Sequence, residues 1–75
     1  MLAYSFRSPL KAMEALNIIE KEGLNARLVS TPPQIETSCG FVLLVQENRV
    51  EEFIEKSNVT YSKKFRKEGN LWIEI

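Results

Sequence analysis

A short apolar run in the middle of the chain, GFVLLV at 40–45, is the feature that most limits what the chain can fold into. The run is too short for a core helix, and its length and composition are typical of a buried strand. It follows a polar segment with two prolines, TPPQIETSC at 31–39, which is typical of a loop. The sequence therefore predicts a sheet in which residues 40–45 form a central strand.

The segment before this loop predicts a strand and then a helix. Residues 2–7 alternate apolar and polar side chains, as half-buried strands do. Ser8 is a favourable N-cap residue, and Pro9 suits the first position of a helix. Gly23 is a common residue just beyond a helix end, so we expect an amphipathic helix over 9–22.

Four more elements are predicted from the rest of the chain. ARLVS at 26–30 predicts a second strand. After the central strand, apolar residues at helical spacing among charged ones predict a helix over 47–56. The β-branched and aromatic residues of NVTYSKKFRK, 58–67, favour a strand. The turn signal EGN and the apolar LWIEI, 71–75, then indicate a possible extra strand in a hairpin.

This order, β-α-β-β-α-β with a possible extra C-terminal strand, indicates the ferredoxin-like α+β fold. That fold is a two-layer sandwich in which an antiparallel sheet carries two helices on one face. A chain of 75 residues predicts one such domain, over 1–75. In the first helix we expect Met13, Leu16 and Ile19 to face the core because they recur at helical spacing.

The residue types that the chain lacks exclude several classes of active site. Without histidine, neither a Ser-His-Asp triad nor a Cys-His pair can form within the chain. One cysteine and no histidine also cannot build the usual zinc site. Neither glycine-rich phosphate-binding motif, GxxxxGK[ST] or GxGxxG, is present. We therefore expect no metal and no cofactor, and most hydrolase and nucleotide-dependent functions are excluded.

Charge and hydropathy indicate neither nucleic acid nor a membrane as the partner. Ten Lys and Arg residues balance ten Glu residues, so the chain carries no net charge. No run approaches the ~18 apolar residues of a membrane span, and the first residues do not resemble a signal peptide. A single cysteine cannot close an internal disulfide, which fits a reducing compartment. The sequence thus predicts a cytoplasmic protein.

The only cysteine, Cys39, lies at the end of the proline-containing loop. A cysteine outside a disulfide is most often a small buried residue of the core. Three features here favour a thiol presented at the surface instead. Polar residues precede it, Gly40 adds no side chain that would shield it, and Pro32 and Pro33 stiffen the loop. We therefore expect an exposed thiol in a restrained loop.

The groups around Cys39 are suited to stabilising an anion, and a reactive thiol must be ionised. The backbone N–H groups of Ser38, Gly40 and Phe41 are able to form a small anion-binding nest. Arg27, in the preceding strand, is a candidate cation. The segment also carries hydroxyl groups that are able to donate a hydrogen bond to a thiolate or persulfide: Thr31, Thr37 and Ser38.

The loop and its surroundings resemble a known family. STPPQIETSCGFVL, 30–43, is similar to the central motif of the selenium/sulfur carrier-like proteins. FRSPLKAMEALNIIEKEGLNARLV, 6–29, is similar to their first strand, helix and second strand. The resemblance covers residues 2–58, whereas the segment after it is longer than is usual in the family. The motif is carried by Thr31, Pro32, Ile35, Ser38, Cys39 and Gly40.

The resemblance implies that Cys39 carries sulfur or selenium, as a persulfide or selenosulfide, between a donor protein and an acceptor protein. We expect four residues of the loop to support Cys39 in this role: Thr31, Pro32, Ser38 and Gly40. A carrier of this kind passes its atom on stoichiometrically, so it is not an enzyme. One accessible thiolate is enough for it because its partners supply the other thiols by exchange.

Two other interpretations remain open. The chain could be a small protein-interaction or regulatory module, in which Cys39 is structural. Such a module could be a homodimer that pairs through a sheet edge, with Trp72 and Ile73 at the interface. Alternatively, Tyr61 and Phe65 among basic residues could form an RNA-binding surface. A charged edge strand explains that segment better, because the net charge is zero.

The basic segment 63–67 also suits a carrier. Its residues Lys63, Lys64 and Arg66 are candidates for docking an acidic partner, such as a sulfur donor protein, by charge complementarity. Nothing in the sequence selects that partner, so the donor and the acceptor are predicted only by class.

Overall fold

Residues 1–36 and 39–75, which the computed structural model describes, form two helices and five strands. In chain order these are β1 (Leu2–Ser5), α1 (Pro9–Lys21), β2 (Arg27–Ser30), β3 (Phe41–Val45), α2 (Asn48–Lys56), β4 (Lys63–Glu68) and β5 (Leu71–Glu74). The predicted succession is confirmed, including the extra C-terminal strand, and the arrangement is ferredoxin-like α+β. Within the described ranges, neither helix is long and apolar enough to cross a membrane.

The strands form one antiparallel sheet in the order β2-β3-β1-β4-β5. β3 has a strand on each side, and Val42, Leu43 and Val45 in it are buried, so the predicted central strand is confirmed. β5 is an outer strand of the sheet and pairs with β4. Because neighbouring strands run in opposite directions, the C-terminal ends of β1 and β2 lie beside the N-terminal ends of β3 and β4.

Helix α1 begins and ends close to the predicted residues. The side-chain oxygen of Ser8 accepts a hydrogen bond from the backbone N–H of Lys11 at 3.3 Å, which caps the first turn. At the other end, the N–H of Leu24 donates to the carbonyl oxygen of Ile19 at 3.2 Å. This bond forms because Gly23 adopts a φ of +74°, the left-handed conformation that commonly ends a helix.

The two helices cover one face of the sheet and build the main core with it. Helix α1 contributes two alanines and one isoleucine to this core, and α2 contributes one valine and one isoleucine. The buried residues of this core are Tyr4, Phe6, Ala12, Ala15, Ile19, Leu43, Val45, Val50 and Ile54. This face therefore derives its stability from helix-on-sheet packing, in which each fully buried large side chain contributes about 1.5–3 kcal/mol.

The core face of α1 differs from the prediction at Met13. Ile19 is buried and Leu16 is partly buried, as expected, but the Met13 side chain is 55% exposed. The buried stripe runs instead through Ala12, Ala15 and Ile19. Met13 lies about 100° round the helix from Ala12, which places it on the solvent side of that stripe.

The opposite face of the sheet, here called the open face, carries a second and smaller cluster. Three strands contribute Ala3, Val42 and Phe65 to it, and the loop between β2 and β3 contributes Ile35. Ile35 is only 4% exposed. A loop, rather than a helix, therefore covers part of this face.

The segment 58–62, predicted as the first half of a strand, is a connection between α2 and β4. The hydroxyl of Ser57 donates to the carbonyl oxygen of Ile54 and accepts from the N–H of Val59, which fixes the start of this connection. Val59 and Tyr61 pack against the helix-side core. Their apolar character thus serves core packing and not strand pairing.

Candidate functional site

The loop that carries Cys39 leaves the sheet and returns to it at the same place, where β2 ends and β3 begins. The last pair of the β2–β3 ladder is Ser30 with Phe41. One step beyond it, the N–H of Thr31 donates to the carbonyl oxygen of Gly40 at 3.1 Å. This bond closes the base of the loop, so strand pairing fixes the position of Cys39 beside the start of β3.

Residues 32–35 of the loop lie against the open face. The N–H of Ile35 donates to the carbonyl oxygen of Pro32 at 3.0 Å, and this turn directs Ile35 into the open-face cluster. Next to it, the side-chain oxygen of Gln34 accepts a hydrogen bond from the N–H of Trp72 at 3.2 Å. The loop is therefore anchored to the sheet by one apolar contact and one hydrogen bond to β5.

The Cys39 side chain is buried, at 7% exposure, so the expectation of an exposed thiol is wrong for this conformation. Its Sγ donates to the carbonyl oxygen of Phe41 at 3.0 Å and accepts from the N–H of the same residue at 3.4 Å. The cause is the turn at Gly40, whose φ of +77° folds the sulfur back over the start of β3. The described conformation therefore leaves little of the Cys39 side chain accessible to a partner.

Part of the predicted nest around the thiol is present. The N–H of Phe41 points at the sulfur, as expected, whereas the nearer Phe41 carbonyl oxygen accepts from the neutral thiol and disfavours an anion. Ser38 and Thr37, whose N–H and hydroxyl groups were predicted to support Cys39, lie outside the described residues. The contribution of these two residues stays a prediction.

The other predicted neighbours of the thiol divide into two groups. Thr31 and Pro32 stand at the base of the loop, and the Thr31 hydroxyl is buried without a hydrogen-bond partner among the described residues. Arg27, by contrast, pairs with Leu44 at the opposite end of β2. The length of that strand, roughly 13 Å, separates it from the loop base. The prediction that Arg27 is the cation beside Cys39 is therefore wrong.

The three basic residues predicted to dock a partner do not share a surface. Successive strand residues point to opposite faces, so Lys63 lies on the open face, whereas Lys64 and Arg66 lie on the helix side. Lys64 Nζ is 2.7 Å from a carboxylate oxygen of Glu51 and 3.2 Å from one of Glu55. Lys64 therefore links β4 to α2 through ion pairs within the chain, and its ammonium group is not available to a partner.

A polar network between β4 and α2 was missed at the sequence level. Lys64 Nζ lies 5.8 Å from the ring centre of Tyr4, and the Tyr61 hydroxyl donates to Glu55 at 3.1 Å. The Tyr4 hydroxyl is buried without a hydrogen-bond partner in the described part of the chain, and burial raises its pKa to about 12. Burial and the hydrogen bond to Glu55 also raise the pKa of Tyr61. No local pattern marks this network because α2 and the sheet assemble it by packing.

A cavity of about 460 Å³ opens at the end of the sheet from which the Cys39 loop leaves. Arg7 and Lys11 bring cationic groups to its lining, and Thr60, Tyr61 and Ser62 bring hydroxyls. The strand register places the cavity at this end, because β1 ends beside the first residues of both β3 and β4. Among the residues that the structure describes, no cluster of three or more potential metal ligands occurs.

Comparisons with known proteins agree with the motif around Cys39. The profile of a family described as "Putative Se/S carrier protein-like" matches residues 4–66. The matched region contains α1, the Cys39 loop, β3 and α2, and it ends before β5. No curated protein and no solved structure matches the chain.

Proposed function

The chain belongs to the Se/S carrier-like family, and from this membership we propose that it carries a sulfur or selenium atom on Cys39. The atom is held as a persulfide or selenosulfide and passes from a donor protein to an acceptor protein. The protein acts stoichiometrically in this role and not as an enzyme. One observation carries the proposal: the only thiol of the chain sits in a closed loop, bonded to the backbone of Phe41.

The proposed transfer is a pair of thiol exchange steps. The Cys39 thiolate attacks the outer sulfur of a donor persulfide. A new S–S bond forms on Cys39 while the donor S–S bond breaks, and the donor leaves as a thiolate. An acceptor thiolate then attacks the outer sulfur on Cys39 and releases the Cys39 thiolate. The sulfur moves without net oxidation or reduction, and selenium in the outer position follows the same steps.

The burial of Cys39 suits a carrier that protects its cargo between the two steps. A persulfide open to solvent would react with unrelated thiols, whereas the described conformation shields the sulfur. Opening the loop must release Ile35 from the open face and Gln34 from Trp72. These two contacts are worth about 2–4 kcal/mol together. An open form at about 0.1–3% of the population is therefore accessible to a partner.

The end of the sheet beside the Cys39 loop offers a docking surface for partners. Arg7 and Lys11 line the cavity there, and Lys63 begins β4 at the same end. Of the three cations predicted from the sequence, Lys63 keeps this role in the proposal, because its exposed ion pair with Glu74, at 3.9 Å, is weak. An acidic surface of the donor or acceptor protein complements these groups, which guides encounter more than it adds affinity.

Sulfur uptake by wild type and by Cys39→Ser tests the proposal. After incubation with glutathione persulfide, the intact mass of wild type should rise by one sulfur atom, and a reductant should reverse the change. Cys39→Ser should gain nothing. Serine is close in size, and its hydroxyl is able to donate to the Phe41 carbonyl as the thiol does, so circular dichroism should show an unchanged fold. Folded wild type that takes up no sulfur would reject the proposal.

The burial of Cys39 also favours a second candidate, the small interaction or regulatory module with a structural cysteine. In that case native Cys39 reacts with a persulfide only as fast as the whole chain unfolds. A carrier reacts faster, because opening of the loop alone is enough. Comparing the rate of persulfide uptake with the rate of global unfolding, measured under the same conditions, separates the two candidates.

A further inference from the structure

The outer edge of β5 is apolar and weakly protected against pairing. Leu71, Ile73 and Ile75 are 59%, 38% and 53% exposed, and all three lie on the helix side of the sheet. Outer strands of soluble proteins usually carry Lys or Pro residues that prevent pairing with another strand. The segment LWIEI, 71–75, contains neither.

The β4–β5 ladder determines which backbone groups of this edge face outward. The N–H of Ile75 donates to the carbonyl oxygen of Lys64 at 2.9 Å. Antiparallel pairing alternates along the strand, so Leu71 and Ile73 also turn their N–H and C=O groups toward β4. Trp72 and Glu74 turn theirs outward, and the bond from the Trp72 N–H to Gln34 shows that direction.

We propose that β5 pairs with β5 of a second copy of this chain, antiparallel and centred on Ile73. In this register Ile73 lies opposite Ile73 of the copy, and Leu71 lies opposite Ile75. The outward groups of Trp72 and Glu74 then form a hydrogen-bonded pair across the two-fold axis. The result is one continuous sheet of ten strands with all helices on the same side.

The outer edge of β5 is complementary to itself, which favours a second copy of this chain as its pairing partner. On the helix side every opposed pair is apolar, and no like charges meet. On the open face, Glu74 of the copy lies beside Trp72, whose ring centre is 5.7 Å from the Nζ of Lys67, so its carboxylate approaches a cation. A register centred on Trp72 lacks these matches, because it sets Asn70 opposite Glu74 and leaves Ile75 opposite Gly69.

Gln34 competes with the second copy for the edge. Its side chain occupies the Trp72 N–H that pairing requires, so dimer formation frees this anchor of the Cys39 loop. A single exposed hydrogen bond shifts such an equilibrium but does not block it. Each dimer releases two such bonds, one per copy, so removing them in Gln34→Ala should tighten the dimer roughly fivefold to a hundredfold.

Single-cysteine variants of the full chain test the register. In a Cys39→Ser background, Ile73→Cys sets two thiols at a non-hydrogen-bonded pair, where the Cα atoms are about 4.5 Å apart. Disulfide geometry allows that separation, so oxidation should yield a covalent dimer. Leu71→Cys is the matched control, because the two copies of residue 71 lie roughly 13 Å apart in this register. Cross-linking should be roughly tenfold or more lower in the control.

Sedimentation of the full chain over a wide concentration range tests the dimer itself, with Cys39 intact. As its concentration rises, wild type should change from monomer to dimer. Gln34→Ala should dimerise at a lower concentration than wild type. Ile73→Lys sets two lysines opposite each other and should lose the dimer. This residue is partly exposed on an outer strand, so thermal unfolding should show that the variant still folds.

A wild-type protein that stays monomeric at every concentration would overturn the proposed pairing. Equal cross-linking of the Leu71→Cys and Ile73→Cys variants would overturn the register. Neither result depends on sulfur transfer, because the pairing does not involve the thiol.

Discussion

The side-chain oxygen of Gln34 accepts a hydrogen bond from the backbone N–H of Trp72 at 3.2 Å, although 38 residues separate them in the chain. The bond ties the middle of the Cys39 loop to the outermost described strand of the sheet. Ile35 adds an apolar contact beside it, and the bond from Thr31 to Gly40 closes the base. Strands that are remote from the loop in sequence therefore hold it against the sheet.

We predict that Ile35→Ala loosens the loop and speeds modification of Cys39. Truncating a buried isoleucine costs about 2–4 kcal/mol, and here the lost packing is between the loop and the open face. Opening of the loop becomes more frequent, so the rate at which iodoacetamide alkylates native Cys39 should rise roughly tenfold or more. Mass spectrometry of samples quenched over time measures this rate.

Ile54→Ala is the matched control for this variant. Ile54 is buried to a similar degree, but it lies under α2 on the opposite face of the sheet. The Ile54→Ala substitution should lower the free energy of unfolding by a similar amount and change the alkylation rate of native Cys39 far less. Equal acceleration of Cys39 alkylation in the two variants would show that Cys39 reacts through global unfolding. Packing of Ile35 would then not keep the loop closed.

Gly40→Ala should displace the Cys39 thiol only by changing the backbone conformation of the turn at residue 40. A Cβ at Gly40 meets no atom within 4 Å, so the cost arises from the φ of +77° and is about 1–2 kcal/mol. Gly23→Ala, with a φ of +74° and the same open surroundings, is the control. Calorimetry should show similar losses of stability in the two variants, while only Gly40→Ala changes the alkylation rate of Cys39. An unchanged rate in both would refute the role of the Gly40 turn in placing the sulfur.

A charge reversal at the end of the sheet beside the Cys39 loop should slow transfer from an anionic donor. Lys11 lines the cavity there, and Lys11→Glu replaces its attraction by repulsion. Uptake of sulfur from glutathione persulfide should slow roughly two- to tenfold at low salt, with a smaller effect at high salt. Arg49→Glu, also in the first turn of a helix but at the far end of the sheet, should leave uptake unchanged. A similar slowing in both variants would indicate net charge and not a docking surface.

The network of Tyr4, Tyr61 and Lys64 predicts a loss of stability at alkaline pH. Burial raises the pKa of Tyr4 to about 12 and also raises that of Tyr61. Burial alone would lower the pKa of Lys64, but its hydrogen bonds to Glu51 and Glu55 outweigh that effect and leave it raised. A group whose folded pKa is raised contributes its stability below the unfolded pKa and loses it as pH rises toward the folded value.

The free energy of unfolding should therefore fall as pH rises from about 10 toward 12. Absorbance of tyrosinate in the native protein should show no ionisation of Tyr4 near pH 10, whereas the denatured chain should ionise there. Native protein whose two tyrosines both titrate near the ordinary value would contradict the buried network.

Local patterns were sufficient to predict the element order and the place of the thiol. The cap at Ser8, the stop at Gly23 and the apolar run after Gly40 are signals within a few residues. They coincide with the two ends of α1 and with β3. The loop between β2 and β3, which carries Cys39, was predictable for the same reason.

The surroundings of the thiol were not predictable, because they depend on packing between distant segments. Ile35 packs in one cluster with residues of three strands, Ala3, Val42 and Phe65, and this packing holds the loop against the sheet. Polar neighbours of Cys39 in sequence suggested exposure, yet the turn at Gly40 folds its sulfur inward. Lys64 appeared available for a partner only because its two carboxylates come from α2, whose place over β4 is a property of the fold.

Passage of labelled sulfur through the native protein is the most direct test of the proposed role of Cys39. Wild type is loaded with glutathione persulfide whose outer sulfur is isotopically labelled, separated from the donor, and mixed with an acceptor thiol. We predict one labelled atom on the Cys39 peptide, followed by its appearance on the acceptor, and no label in Cys39→Ser. Label that never reaches Cys39 in the folded protein, or that stays there when the acceptor is added, would contradict a carrier.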